Sequence, residues 1–412
     1  MLEFMKGKKG FYHLASNSSK NMQINELKKD IANFYGDELL SKLNISSWTE
    51  LFTYIGKHLI QKDKVIIAID EFSYMIKSDK SILSALQIFI DRYLRKSKSL
   101  LIIAGSLFGL MSEKVLSYTS PLYGRRDRDI LVKQLDFYNS AKLLNMSFEE
   151  SLKTYLLIGG IPEYLRIANK YKNANEFIQN EFTNKIGYFY REPYFILSEE
   201  FKEIKTYFSI LEAIAYGNNK PTEIANYVGI KSREIYPYLE LMISHGFISR
   251  VSSAFSKGKR GIYIIQDPML DTWFNIVHKN REEIEFGNFV ISKNILNKYL
   301  GKRFEMFCRD LLSLNNYSTK PWWHKDKEID IVGIPENGPA VFGEAKWKEN
   351  LDARIMAESL YERIEYVPYD GEYEIWLFGK SFKKKVRRFK GVKVRCVDLK
   401  GIERMVRKRK KK

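Results

Sequence analysis

The apolar positions of this chain change period several times, and each change predicts an element. Phe11-Tyr12-His13-Leu14-Ala15 predicts a short strand, and after a polar turn Ile24, Leu27, Ile31 and Phe34 recur at helical spacing. Ser47 and Glu50 form a capping box ahead of Leu51, Phe52 and Ile55, which predicts a second helix. Lys64-Val65-Ile66-Ile67-Ala68-Ile69-Asp70-Glu71-Phe72 is an unbroken apolar run ending in two carboxylates, as in a buried parallel strand. A helical pattern over 82–94 leads to the run Leu100-Leu101-Ile102-Ile103-Ala104-Gly105-Ser106, and a further strand is expected over 130–135. Strands alternating with helices of this length predict an α/β unit whose parallel sheet is covered on both faces.

From 148 to about 196 the pattern is helical and aromatic. Three helices are then expected over 204–215, 222–228 and 232–245, with Pro221 opening the middle one and Gly229-Ile230-Lys231 as the turn. Runs over 247–251 and 261–265 read as the strands of a wing, so this tract predicts a winged helix-turn-helix. A last domain starts near Ile291: a helix through Glu305, a strand from Glu328 to Ile334, the turn Pro335-Glu336-Asn337-Gly338, and a returning strand through Glu344 to Trp347. The pattern divides the chain at 1–147, 148–200, 201–280 and 281–412.

At 412 residues, 45% hydrophobic, the chain can bury the cores of roughly two to four domains. It shows no signal peptide and no apolar run long enough to span a bilayer, so a cytoplasmic protein with no membrane partner is expected. Cys308 and Cys396 alone make neither a disulfide framework nor a zinc site. Residues 380–412 hold 17 Lys and Arg against 2 acids, and so carry 15 of the 18 net positive charges. Such a basic tail suits a phosphate backbone, and a solvated tail serving solubility is the plainer alternative. Nucleic acid, DNA first, is the expected partner, and a homo-oligomer stays open.

The chemistry starts at the strand ending in Asp70. There the first carboxylate can hold magnesium and Glu71 can polarise a water for attack on a γ-phosphate, the Walker B arrangement. Ser106, at the end of the strand expected beside it, can sense the γ-phosphate, or simply cap the next helix. In Pro121-Leu122-Tyr123-Gly124-Arg125-Arg126-Asp127-Arg128, Arg125 and Arg126 can stabilise phosphoryl charge, or serve as surface ion-pair partners.

These pieces, with Gly159-Gly160-Ile161-Pro162-Glu163-Tyr164-Leu165, resemble the archaeal-type ATPases of the AAA-related P-loop class. The resemblance implies ATP and Mg as cofactors, a helical lid around the paired glycines, then a winged helix and a family-specific C-terminal domain. The sequence departs from that family in one respect: it holds no Gly-rich loop ending in Gly-Lys-Ser or Gly-Lys-Thr. Met5-Lys6-Gly7-Lys8-Lys9-Gly10 resembles the lead into the family's second strand, and Gly258-Lys259-Arg260-Gly261 lacks the P-loop spacing. The expectation is therefore an incomplete P-loop NTPase sheet in a truncated chain, with two apolar edges exposed and the phosphate loop encoded upstream or supplied by a partner.

Two further groups carry chemistry. Lys231, Ser232, Arg233 and Tyr236 at the third helix, with Lys257, Lys259 and Arg260 at the wing tip, can reach DNA, although Glu234 and Glu240 on the same helix fit a spacer equally well. Period-2 alternation puts Glu344 and Lys346 on one strand face, and Asp330 on the neighbouring strand can join them to hold a divalent cation beside a lysine. This resembles the PD-(D/E)xK nuclease core, in which an acid on an earlier helix, here Glu305, completes the metal site. His324 beside Trp322 and Trp323 reads as a packing or surface residue. The combined reading is an ATPase-family protein coupling nucleotide hydrolysis to nucleic-acid binding or processing. The alternatives are a non-catalytic DNA-binding regulator and an ATP-independent, metal-dependent nuclease.

Overall fold

The apolar run ending at Asp70 becomes the middle strand of a three-stranded parallel sheet in the computed structural model, which describes residues 1–61, 64–256 and 261–408. β1 (Gly10–Leu14), β2 (Ile66–Asp70) and β3 (Leu100–Ile103) lie in the order β1-β2-β3, with Leu14 opposite Asp70 and Ile69 opposite Ile103. The helix Lys20–Tyr35 buries Ile24, Leu27 and Ile31 on one face and ends at Gly36 in the left-handed conformation. Ser47 caps the helix Trp48–Tyr54 by accepting from the Glu50 N–H, and Glu50 accepts in return from Ser46 rather than Ser47. The chain divides into two compact units, Met1–Leu131 and Val132–Lys412.

The strand expected over 130–135 does not form. Ile130 and Val132 are 84% and 88% exposed, and residues 128–136 are irregular. An apolar run becomes a strand only where a neighbour completes its hydrogen-bond ladder, and among the described residues none pairs with this one.

In the second unit, the helices Phe148–Ile158 and Pro162–Ala168 meet at Gly159, which has φ +70°, and Pro162 opens the second. The helices Ala174–Glu181, Tyr188–Glu200, Ile204–Ala215, Pro221–Val228 and Ile235–Ser244 follow, then the antiparallel pair β4 (Ile248–Val251) and β5 (Ile262–Ile265). The helix expected from Ser232 starts three residues later, so Ser232 and Arg233 sit in a turn before it, closed by Glu234 N–H donating to the Lys231 carbonyl. Pro237 explains the shift: lacking an N–H, it is tolerated only in the first turn of a helix.

The C-terminal strands are β6 (Tyr317–His324), β7 (Lys327–Pro335), β8 (Ala340–Lys346), β9 (Leu351–Asp352), β10 (Tyr373–Gly379), β11 (Phe382–Lys384), β12 (Arg388–Phe389) and β13 (Val392–Val397). Six form one sheet in the order β12-β13-β10-β8-β7-β6, while β9 and β11 pair separately. β8 and β10 are parallel, so the chain crosses over between them through the helix Ala353–Ile364, which buries Ala353, Ala357, Leu360 and Ile364. The long helix Lys293–Ser313 contacts β6, β7 and β8 and carries Glu305.

The basic stretch is not a tail over most of its length. It contributes β11, β12 and β13 and the helix Leu399–Lys408, whose Ile402 and Val406 are buried in the core. Its cations are partly paired, Lys385 with Asp398 and Lys393 with Glu374, both at 2.6 Å. Residues 409–412 lie outside the described structure, as do the expected wing-tip residues Lys257, Lys259 and Arg260. Among the described residues no helix is long and apolar enough to cross a membrane.

Candidate functional site

β2 and β3 end side by side, and their ends bring Asp70, Glu71 and Ser106 together. Phe72 N–H donates to the Ala104 carbonyl, joining the two strand exits. Glu71 caps the short helix Phe72–Ser78 with φ +52°, a left-handed conformation that carries strain in a residue with a Cβ and is concentrated at functional sites. That turn aims its carboxylate at β3: the Ser106 hydroxyl donates to Glu71 Oε2 at 2.7 Å, and the Ser106 N–H approaches the same oxygen at 3.4 Å. Asp70 Oδ1 accepts from the Glu71 N–H at 3.0 Å, and Oδ2 accepts from the Tyr12 hydroxyl at 2.7 Å. The hydrogen bond to Asp70, then burial, pushes the Tyr12 phenol up to about 12. Two fixed carboxylates at the C-terminal edge of a parallel sheet can ligate a cation and orient a water.

Tyr12 is a residue that sequence reasoning missed. Its only signal is strand alternation, which sends its side chain to the face opposite that of Phe11 and His13 on β1. The arginines fall elsewhere. Asp91 grips Arg125 through both oxygens, with Nε at 3.1 and 3.0 Å and Nη2 at 2.9 Å, while Nη1 donates to the carbonyls of Pro121 and Tyr123. Arg126 donates to the Leu116 carbonyl at 3.1 Å. Both guanidinium groups therefore brace their own loop.

A second cluster lies on β7, β8 and the helix Lys293–Ser313. The antiparallel ladder pairs Ile331 with Gly343, and one step further the same register sets Asp330 opposite Glu344. There the Asp330 carboxylate accepts from the Ala345 N–H at 2.9 Å. Asp330 and Glu344 are 7% and 6% exposed. Glu344 is held by Lys346 at 2.7 Å and by Arg363 at 2.8 Å, and Arg309 donates to the Asp330 carbonyl. Burial, then the charge of Glu344, pushes the Asp330 carboxyl up to about 6, while burial, then Asp330, pushes Glu305 up to about 8. For Lys346, burial opposes the charge, but Glu344, Asp330 and Glu305 outweigh it and raise its pKa.

The four residues expected at this cluster thus interact with one another. Among the described residues no three His, Cys, Asp or Glu side chains gather closely enough to hold an ion on their own, so a cation there would also need carbonyl, water or phosphate oxygens. Arg309 and Arg363 were not legible beforehand: they reach the site from two helices, and nothing in local spacing marks them.

The residues expected to meet DNA lie on one turn and the helix after it. Lys231, Ser232, Arg233 and Tyr236 are exposed, and Lys231 stands 4.0 Å from Glu234.

Residues 5–167 match a family described as an ATPase domain predominantly from Archaea, and residues 273–358 match one described as archaea bacterial proteins of unknown function. The uncharacterized protein MJECL04 of Methanocaldococcus jannaschii is 35% identical over 358 residues, which is 82% of this chain and 79% of that one. The chain belongs to the archaeal ATPase-domain family. A second protein of the same organism, MJ0424, is 36% identical to this family member over 93 residues, 23% of the chain and 88% of its own length. Among solved structures, the Walker-type ATPase PABY2304 of Pyrococcus abyssi aligns with a TM-score of 0.49 at 21% identity, over 66% of this archaeal ATPase-family chain and 86% of its own.

Proposed function

We propose that this archaeal ATPase-family protein is a cytoplasmic, magnesium-dependent ATPase that couples nucleotide hydrolysis to the binding or processing of DNA. The observation that carries the reading is the 2.7 Å contact between Ser106 and Glu71 beside Asp70. The donor set fits magnesium, since each Asp70 oxygen keeps a lone pair beyond the hydrogen bond it accepts from Tyr12 or from the Glu71 N–H. Bound there, the ion would neutralise charge on the phosphates. Glu71 takes a proton from the attacking water, and Ser106 fixes the carboxylate that does so. Because Arg125 is clamped by Asp91, Arg126 is the better candidate to meet phosphoryl charge.

The 412 residues contain no phosphate-cradling Gly-Lys-Ser/Thr loop, so the reading requires one supplied in cis or in trans. The test is magnesium-dependent ATP binding and hydrolysis by this chain beside a form extended upstream. The extended form is expected to bind and turn over ATP, and Glu71→Gln to slow hydrolysis by about 10²–10⁴-fold with binding retained. An extended form that binds no nucleotide overturns the proposal.

The nucleic-acid half rests on the three helices and β4–β5 ribbon read as a winged helix, with Lys231, Arg233 and Tyr236 exposed. A second reading, metal-dependent cleavage by a PD-(D/E)xK-like domain, is favoured by the grouping of Glu305, Asp330, Glu344 and Lys346. In it, Asp330 and Glu344 hold the cation and Lys346 stabilises charge on the attacked phosphate. Magnesium-dependent nicking that Glu344→Ala abolishes supports this reading, and an equal rate in both proteins sinks it.

A further inference from the structure

Inside the second unit, a cavity of about 910 Å³ opens between the β4–β5 ribbon and the start of the C-terminal sheet. Tyr236, Phe255, Trp323, His324 and Tyr366 are among its lining residues. Its charged lining residues are Lys220 and Arg250, with no carboxylate among them. Lys220 is paired with Glu223 at 2.9 Å, whereas Arg250 is an exposed residue on β4 without an ion pair among the described residues.

The walls are preformed. Trp323 N–H donates to the Ser253 hydroxyl at 3.0 Å, that hydroxyl donates back to the Trp323 carbonyl, and Ala254 N–H donates to the Pro321 carbonyl at 2.8 Å. These bonds join the ribbon to β6. The next residue, Phe255, has φ +60°, a conformation that a bulky side chain adopts only under strain. Its ring is left 37% exposed, backed by Tyr369 at 5.7 Å. Tyr366 is 56% exposed, with the Lys327 ammonium 4.3 Å from its ring centroid.

We propose that this cavity receives unpaired bases of a single-stranded nucleic acid, stacked on Tyr366 and Phe255, with the strand's phosphates drawn to Arg250. Aromatic side chains beside cations, in a lining that holds no carboxylate, are the chemistry of sequence-tolerant single-strand binding. Paired bases have no free faces to offer them. A volume near the top of the roughly 300–1,000 Å³ range of small-molecule sites leaves room for more than one base. The inference rests on the nucleic-acid half of the proposed function and names the form of the strand.

The experiment is fluorescence anisotropy with a labelled oligothymidylate of about 12 nucleotides, using the full chain. Tyr366→Ala and Phe255→Gly are each expected to weaken single-strand binding roughly ten-fold, with duplex binding little changed, and Tyr366→Phe to retain it. Phe255→Gly removes the ring while suiting the positive φ, and equal melting curves check that the fold is kept. If both variants bind the oligonucleotide as the wild type does, the cavity assignment falls and nucleic-acid binding elsewhere stands. A wild type that binds duplex but no single strand overturns the strand assignment alone, and one that binds neither overturns the nucleic-acid half of the proposed function as well. Displacement by thymidine monophosphate at equal nucleotide concentration makes it a mononucleotide site and overturns the strand assignment.

Discussion

Tyr12 and Glu305 show how single residues depend on carboxylates far away in sequence. The Tyr12 phenol, raised to about 12 by its bond to Asp70, is neutral in both folded and unfolded states below about 10. The unfolded phenol ionises first, so the contact's stabilisation is present below pH 10 and is lost as pH rises through 12. Several tyrosines, Tyr54, Tyr171 and Tyr190 among them, are likewise raised to about 12, so Tyr12→Phe should remove one phenol's share of the late phenolate absorbance, at a cost of about 1 kcal/mol. Glu305 behaves as an acid whose charged form is disfavoured by burial and by Asp330. Its folded pKa of about 8 exceeds the ordinary glutamate value of 4.5, so stability falls as pH rises between those values. Glu305→Gln should therefore raise the unfolding free energy at pH 8, read from urea denaturation, by on the order of 1 kcal/mol.

At the scale of elements, local pattern read well where propensity and packing agree and failed where a neighbour decides. Gly159-Gly160-Pro162 was legible as a helix end and a helix start, and both form. The role of Gly160 was not: residues 134–135 lie flush on it, Leu135 N–H donates to its carbonyl at 3.0 Å, and a Cβ there would stand 1.9 Å from the Leu135 oxygen. Gly160→Ala must push that strap away and should cost about 2–3 kcal/mol, measured by thermal or urea unfolding. By contrast, Val132 is almost fully exposed despite its apolar neighbours. The period marks a strand there, but no described strand supplies its ladder.

For the whole molecule, the placing of charge changes what the basic end does. β13 pairs with β10, and Ile402 and Val406 pack into the core, so residues 392–408 are structural. A chain ended before Val392 should lose the cooperative unfolding of the second unit and become protease-sensitive, whereas a dispensable tail would leave both unchanged; limited proteolysis separates the two. The sequence by itself determined β1, β2, β3 and the β7–β8 hairpin, several helix limits, the Asp70-Glu71 exit and the Glu344-x-Lys346 face, because each depends on spacing within one or two adjacent elements, while β6 and the elements after Trp347 were not read from it. Tertiary structure alone decided that Ser106 holds Glu71, that Asp91 takes Arg125, that Arg363 reaches Glu344, and that aromatic residues from separate segments share one cavity. Those contacts join residues 19 or more positions apart, and which distant side chains meet is set by packing rather than by any local period.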